Sequence, residues 1–447
     1  MRPKFGLNAM QILVFGYFIV TIIGALLLSL PISSAAGTAQ PFVDALFLAT
    51  SGISTSGLTV IDIGSYYSLF GQIVLMLIFQ VGGIGYMAFF VFIAYLLGKK
   101  FSKTTSTVAR ESMATDSHNM HMLGGFFLKV ISFTLFFEII GAVILASYWS
   151  GEYTLPRAIY LGIFHSISAF CTAGFSLFPT SLVNYKTSWT INLTINIISI
   201  IGGIGFFVLS DAYNALISKI KKLKPTRLTL HSKMALITTA VVMLAGTLII
   251  LVAEQWPSAA TLQEKVIIAS FQSISASTTD GFNTIDIGKM SATSLVALML
   301  LMFIGASPGS TGGGMKTTTL ATLFAAVRAS LRKKDRTAVF ERKIPIEIII
   351  KALTIFCLFS TVAAIDSLIM ANTENASFLQ TLFEIISALG NTGLSTGITG
   401  SLSTAGKIIL IITMFIGRVG PLTIGSAIFT SEKHNALKLP KEELFVG

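Results

Sequence analysis

The sequence predicts an all-α membrane protein built from four parallel repeats of span, dip and span arranged around one axis, and three observations carry that prediction. Of 447 residues, 53% are hydrophobic and only 11% charged, with mean hydropathy +0.80, so water cannot be the solvent for most of the surface. The basic residues fall almost entirely on alternate connecting segments. One motif recurs four times, always on the other set of segments.

Hydropathy places eight spans at 9–30, 70–97, 124–148, 189–218, 233–253, 293–327, 345–370 and 406–430. The first follows Arg2 and Lys4 as a signal peptide would. It runs for about the ~20 residues that cross a bilayer and ends at Pro31 without a small-residue cleavage site, so it reads as a retained helix. Several spans exceed the length a bilayer needs, which predicts tilts or breaks. Segments 98–129, 219–233 and 328–351, with the two ends of the chain, hold 24 of the 31 basic residues. By the positive-inside rule these segments and both termini are cytoplasmic. Arg157, Lys186, Lys265, Lys289 and Lys407 lie on the opposite side, while Lys316 and Arg418 fall inside apolar spans, where an ionisable group is costly and a candidate for function.

Each external segment contains a stretch too short to span and too apolar for an ordinary loop, and all four fit F-x3-S-x5-G-[LF] without a gap. The motif residues are Phe47, Ser51 and Gly57, then Phe164, Ser168 and Gly174, then Phe271, Ser275 and Gly281, and last Phe383, Ser387 and Gly393. The glycines recur every 107 to 117 residues, which divides the chain into repeats at 1–100, 101–220, 221–340 and 341–447. Each dip begins as two to three apolar helical turns and becomes rich in Ser, Thr and Gly, leaving backbone carbonyls free to face inward. Irregular backbone is tolerated at membrane depth only where protein shields it or it lines a wet cavity, so four such strands should line one passage. Carbonyl rings can replace the hydration shell of a K⁺-sized ion, and the negative ends of short helices aimed at the axis favour a cation. The fold class is therefore four helix–pore loop–helix repeats around one central ion pore. Asp62, Asp286 and Glu152 are placed to make its outer mouth attractive to cations.

The spans after the first two dips contain VGGIGYMAF (81–89) and IGGIGFFVL (201–209), and the last contains FIGRVGPLT (415–423). The third contains FIGASPGSTGGGMKTTT (303–319), whose proline and glycines should not remain helical; 305–319 reads as a broken-helix loop below the filter, a candidate gate. GSTGGGMKTT superficially resembles a Walker A phosphate loop, but Met315 separates Gly314 from Lys316 and no strand precedes it. GGIG is too short for a dinucleotide fingerprint. Cys171 and Cys357 have no disulfide or metal-ligand spacing, and His118, His121, His165, His231 and His434 form no cluster within the spans, against a membrane enzyme. Glu138, Asp211 and Asp366 read as helix-packing partners. The charge of +11 orients the chain in a membrane and does not point to nucleic acid.

The four filter-type loops, the glycine-rich break and FIGRVGPLT together resemble the Trk/Ktr/HKT superfamily of potassium and sodium uptake proteins, most closely the membrane subunit of bacterial Ktr systems. The resemblance spans essentially the whole chain. It implies K⁺ passage, with Na⁺ as an activating or coupling ion in many members, across a bacterial plasma membrane. It also implies a homodimer with one pore per subunit, docked on a cytosolic octameric ring of nucleotide-binding regulatory subunits. Carried over by position, the ion-binding filter is Ser54, Thr55, Ser56, Gly57 and Leu58, then Cys171, Thr172, Ala173, Gly174 and Phe175. It continues with Thr278, Thr279, Asp280, Gly281 and Phe282, and closes with Gly390, Asn391, Thr392, Gly393 and Leu394. The gate would comprise Gly305, Pro308, Gly312, Gly313, Gly314 and Lys316, with Arg418 facing it. Asp280 departs from the family pattern, where a small residue is commoner; its carboxylate would tighten cation binding or alter selectivity unless it points behind the filter. The alternatives are a Na⁺ or mixed Na⁺/K⁺ transporter, or an alternating-access secondary transporter, which usually uses inverted rather than parallel repeats.

Overall fold

The computed structural model describes residues 9–85, 120–221 and 227–428. The sequence-predicted cytoplasmic residues Arg2, Lys4, Lys99, Lys100, Lys103, Arg110, Lys222, Lys224, Lys433, Lys438 and Lys441, and the end of the second span, lie outside the described residues.

The first repeat comprises α1 (Ala9–Ser29), the dip helix α2 (Phe42–Ser54), a single turn α3 (Ile63–Tyr66) and α4 (Leu69–Ile84). The second comprises α5 (Met120–Trp149), α6 (Leu155–Phe170), α7 (Trp189–Ile204) and α8 (Phe206–Ile220). The third has α9 (Leu230–Ala253), α10 (Leu262–Thr278), α11 (Ala292–Ile304) and α12 (Thr317–Leu331). The fourth has α13 (Ile346–Thr373), α14 (Phe378–Gly390), α15 (Thr404–Val419) and α16 (Pro421–Ile428). Between the third and fourth lies a hairpin the sequence did not suggest, in which β1 (Ala338–Val339) pairs antiparallel with β2 (Arg342–Lys343).

The same local chemistry starts the second span of every repeat. Ser68, Ser188, Ser291 and Ser403 are N-caps whose hydroxyls accept from the backbone N–H of Gly71, Ile191, Ser294 and Gly406, a cap typically worth about 1 kcal/mol. The same position also ends each of these spans. Gly85, Gly205, Gly305 and Gly420 adopt φ of 89°, 102°, 69° and 89°, a region that L-residues with a Cβ resist, so the helix stops there. The length of span 189–218 leads to the expectation of a tilt or break, and the break falls at Gly205, where α7 and α8 meet with a bend of 98°. The break foreseen in the third repeat is one of four equivalent helix ends; what distinguishes it from those in the second and fourth repeats is the long loop inserted there. The last span breaks likewise at Gly420, between α15 and α16.

Packing closes the repeats into a ring. Each dip helix lies against both spans of its own repeat, and also against the second span of the repeat before it: α6 on α4, α10 on α7, α14 on α11, and α2 on α15. The last contact joins the fourth repeat to the first. Phe47, Phe164, Phe271 and Phe383 are fully buried and anchor the dip helices in the core. Ile19, Val143, Leu244, Leu248, Ile365 and Leu368 are exposed on the outside, an apolar surface that only lipid or another apolar partner can cover.

Candidate functional site

The four loops beyond the dip helices share one backbone course. Thr55, Thr172, Thr279 and Asn391 are left-handed at φ 56°, 49°, 59° and 52°, and two residues later Gly57, Gly174, Gly281 and Gly393 are again positive at 83°, 64°, 88° and 91°. Non-glycine residues held this way cost of order 1–3 kcal/mol and persist only where the surroundings dictate them. The motif serine supplies part of that restraint: the carbonyls of Ser51, Ser168, Ser275 and Ser387 accept from the N–H of Ser56, Ala173, Asp280 and Thr392 at 2.8 to 2.9 Å. The hydroxyls of Ser275 and Ser387 also accept from Gly281 N and Gly393 N at 3.1 and 3.0 Å.

The glycines then close the ring. A Cβ on Gly57 would strike the carbonyl oxygen of Ala173, one on Gly174 that of Asp280, one on Gly281 that of Thr392, and one on Gly393 that of Ser56. Each loop thus presents the carbonyl before its glycine to the glycine of the preceding loop, in cyclic order. Leu58, Phe175, Phe282 and Leu394 are buried, so the side chains point into the scaffold. Ser54 and Thr278 bond back into their own dip helices, at Thr50 O and Ile274 O, and the Cys171 thiol donates to Gln80 at 3.2 Å. Gly390 lies against the carbonyl of Met302, so close that a Cβ there would be 2.6 Å from its oxygen.

Asp280 points behind the ring. Its carboxyl is buried and accepts a 2.6 Å hydrogen bond from Ser199 on α7, which directs the charge-bearing atoms away from the axis. Of the outer acids, Asp62 and Asp286 cap the short turns after the first and third loops, at Gly64 N and Gly288 N, and Glu152 accepts from the Tyr185 hydroxyl. Glu138 accepts from Gln80, Asp366 from Thr413, and Asp211 caps α9 through Thr229 and Ser232, as packing partners do.

Loop 305–316 lies directly beneath the ring and touches all four loops. The Thr311 carbonyl accepts from the Thr55 hydroxyl at 3.2 Å, the Thr311 and Thr172 hydroxyls are 3.1 Å apart, and Gly313 N donates to Thr279 Oγ1 at 2.8 Å. Gly313 packs so tightly on the fourth loop that a Cβ would be 2.8 Å from Asn391 Cβ. Gly312 faces Thr278 and Thr279 just as closely, and Pro308 turns its carbonyl onto Gly205. The Lys316 ammonium folds into the loop, donating to Gly312 O at 2.6 Å and Gly313 O at 3.1 Å, while Gly305 and Gly314 supply positive φ. Arg418 bridges from α15, donating to Thr311 O at 2.6 Å and to Gly82 O.

Sequence reasoning missed the residue following each motif phenylalanine. His165 contacts Ser176, Gln272 donates to Thr284, and buried Glu384 accepts from Ser395, Thr396 and Thr399, each tying the returning chain to its dip helix. Placing the repeats in register on F-x3-S sets Leu48, His165, Gln272 and Glu384 in one column; its three polar members are the signal that was available.

The family model for TrkH, a cation transport protein, matches residues 8–436. The chain belongs to this family. Its members are cation transporters, not enzymes, and the chain is a multi-pass membrane protein of that kind. It is 38% identical to Ktr system potassium uptake protein B of Bacillus subtilis (strain 168), covering 98% of this chain and 96% of that protein. It is 31% identical to potassium/sodium uptake protein NtpJ of Enterococcus hirae, covering 100% and 99%. The fold matches the crystal structure of the potassium transporter TrkH from Vibrio parahaemolyticus with a TM-score of 0.71 at 21% identity, over 94% of this chain and 84% of that one.

Proposed function

We propose that the chain takes up K⁺ across the bacterial plasma membrane, with residues 54–58, 171–175, 278–282 and 390–394 as its selectivity filter and 305–319, with Arg418, as its gate. The observation that carries this reading is the closed order of glycine against carbonyl around four loops, because a ring of backbone oxygens can substitute for the water of a monovalent cation. Its support on the ion is the family and the relatives named for potassium uptake. The relative named for potassium/sodium uptake supports Na⁺ as a coupling ion, and a mixed Na⁺/K⁺ transporter is the second reading.

The gate reading draws on position: a loop in contact with all four strands at their inner end, pinned by a guanidinium, obstructs a cation leaving the filter. We further propose repeat boundaries near 100, 220 and 340, cytoplasmic termini, a homodimer, and regulation by a cytosolic octameric nucleotide-binding ring. The last is supported by the resemblance and by relatives whose names speak of a Ktr system.

The test is ion uptake by K⁺-uptake-deficient cells and by proteoliposomes, comparing the intact chain with one lacking 309–314, per correctly inserted protein. K⁺ uptake in preference to Na⁺, rising on loop deletion, is the expected result. No K⁺ uptake by inserted protein, even with a nucleotide-binding partner, would reject the function. Uptake unchanged by the deletion would reject the gate alone.

A further inference from the structure

We propose that the groove between α9 and α12 binds an anionic phospholipid, its acyl chain lying between the helices and its phosphate against Arg328, Arg332 and Arg336. The groove has a volume of about 590 Å³, within the ~300–1,000 Å³ usual for sites that enclose a ligand. Its wall on α12 includes a stripe at four-residue spacing, Leu320, Phe324 and Arg328, continued by Arg332 just past the helix end, which changes from apolar to basic along one face. Val241 and Ile237 of α9 face the apolar half, and Lys334 and Arg336 join the basic half. The Lys233 ammonium lies 5.8 Å from the centre of the Phe340 ring, which brings the start of α9 to the hairpin at that same basic end.

Charge complementarity selects the occupant. Among the described residues no carboxylate lines the groove, and the ion pairs lie elsewhere, at Asp286–Lys289 and Asp44–Lys407. Exposed cations without acidic partners, set at the end of an apolar trough in a membrane protein, suit an amphiphile with an anionic head. A free phosphate would leave the trough of Leu320, Phe324 and Val241 unfilled. A zwitterionic headgroup would bring an ammonium into an already cationic site. By the positive-inside rule this basic end faces the cytoplasmic leaflet, where anionic lipids concentrate.

The full chain, purified and titrated with phosphatidylglycerol or phosphatidylcholine, would be read by native mass spectrometry. The intact protein should prefer phosphatidylglycerol by about tenfold or more, since each basic residue near an anionic headgroup is worth roughly a fivefold gain. Replacing Arg328, Arg332 and Arg336 by Gln should remove that preference. Replacing Lys186, Lys265 and Lys289 by Gln, with the same change in net charge, should leave it. Val241→Trp, which fills the trough and spares the cations, should also weaken phosphatidylglycerol binding. Equal binding of both lipids by the intact protein overturns the proposal without reference to any variant. Binding unaffected by Val241→Trp overturns the placement in the groove. A photo-crosslinker at position 324 should capture lipid; capture of a second copy, or of residues 429–447 of the same chain, would assign the groove to that occupant instead.

Discussion

Gly174→Ala tests the ring most directly, because its cost divides into two parts that a second glycine separates. The backbone at Gly174 has φ +64°, and that at Gly37 has φ +69°. Each should lose about 1–2 kcal/mol when a Cβ is forced into the left-handed region. Around Gly37 nothing lies within 4 Å of the added carbon, whereas at Gly174 it would strike the Asp280 carbonyl and sit 2.9 Å from Gly281 Cα. Overpacking of this kind costs about a further 1–3 kcal/mol. The atom displaced is the carbonyl oxygen of the next strand, so the penalty falls on the ring. If the ring sets the ion preference, a loss of 1–3 kcal/mol lowers K⁺ over Na⁺ discrimination by about 5- to 150-fold. K⁺ and Na⁺ uptake would be measured in proteoliposomes of matched protein content for both variants, with thermal unfolding in detergent as the control. Gly37→Ala should lower stability slightly and leave the ion ratio intact. An unchanged ratio in Gly174→Ala, or the same change in both variants, would refute the argument that these carbonyls select the ion.

Asp280→Asn should keep K⁺ preference within about twofold, because the carboxyl faces Ser199 and not the axis, and an amide can still accept that hydrogen bond; inverted selectivity would contradict this. Ser199→Ala should lower thermal stability by about 1–3 kcal/mol, the cost of leaving a buried acceptor unsatisfied. Ser275→Ala should destabilise more than Ser51→Ala, by about 1–2 kcal/mol, since Ser275 Oγ accepts from Gly281 N and donates to Phe282 O while the Ser51 hydroxyl has no partner among the described residues; paired thermal melts decide it. Arg418→Ala should raise flux per inserted protein by freeing the Thr311 carbonyl, and unaltered flux would remove Arg418 from the gate.

Much of the ring was legible because each letter of the repeated motif has one task. Phenylalanine anchors the dip helix, the serine position holds the strand beyond it through its backbone carbonyl and, at Ser275 and Ser387, its hydroxyl as well, and glycine lets the next carbonyl approach. Four matches in register outweigh the weak information in any one. Span length announced that breaks exist but not that Gly205 and Gly420 carry them, because hydropathy counts apolar residues and is blind to φ; only the third repeat, with proline and several glycines together, announced its place. Asp280 could be flagged as unusual but not oriented, because Ser199 lies 81 residues away on another repeat. Gln80 and Glu138, 58 residues apart, escaped pairing for the same reason.

The sequence suggests a filter and a gate acting in series, and the contacts join them more closely than that. The hydroxyls of Thr55 and Thr172 that meet Thr311 also donate to the carbonyls of Ser54 and Cys171 at 2.6 and 2.7 Å. If the loop withdraws, these two groups keep a partner, so release from the first and second strands leaves little unsatisfied. The far side of the loop is different. Thr311 N donates to Gly202 O, Ser307 N to Gly203 O, and Phe206 N to Gly309 O, three backbone hydrogen bonds at 2.9 to 3.2 Å to the broken span of the second repeat. Leaving buried backbone groups unpaired costs about 1–3 kcal/mol each, so a loop that abandoned all three would face a larger barrier than one that took its neighbour along. Phe206 is the first residue of α8, and the 98° bend at Gly205 sets that helix off from α7. Gly202 and Gly203 lie at the end of α7, so if the loop is a gate, a movement with α8 about Gly205 would keep the Phe206–Gly309 bond and still break the two to α7; those two bonds, at about 1–3 kcal/mol each, hold the loop closed whether or not α8 follows.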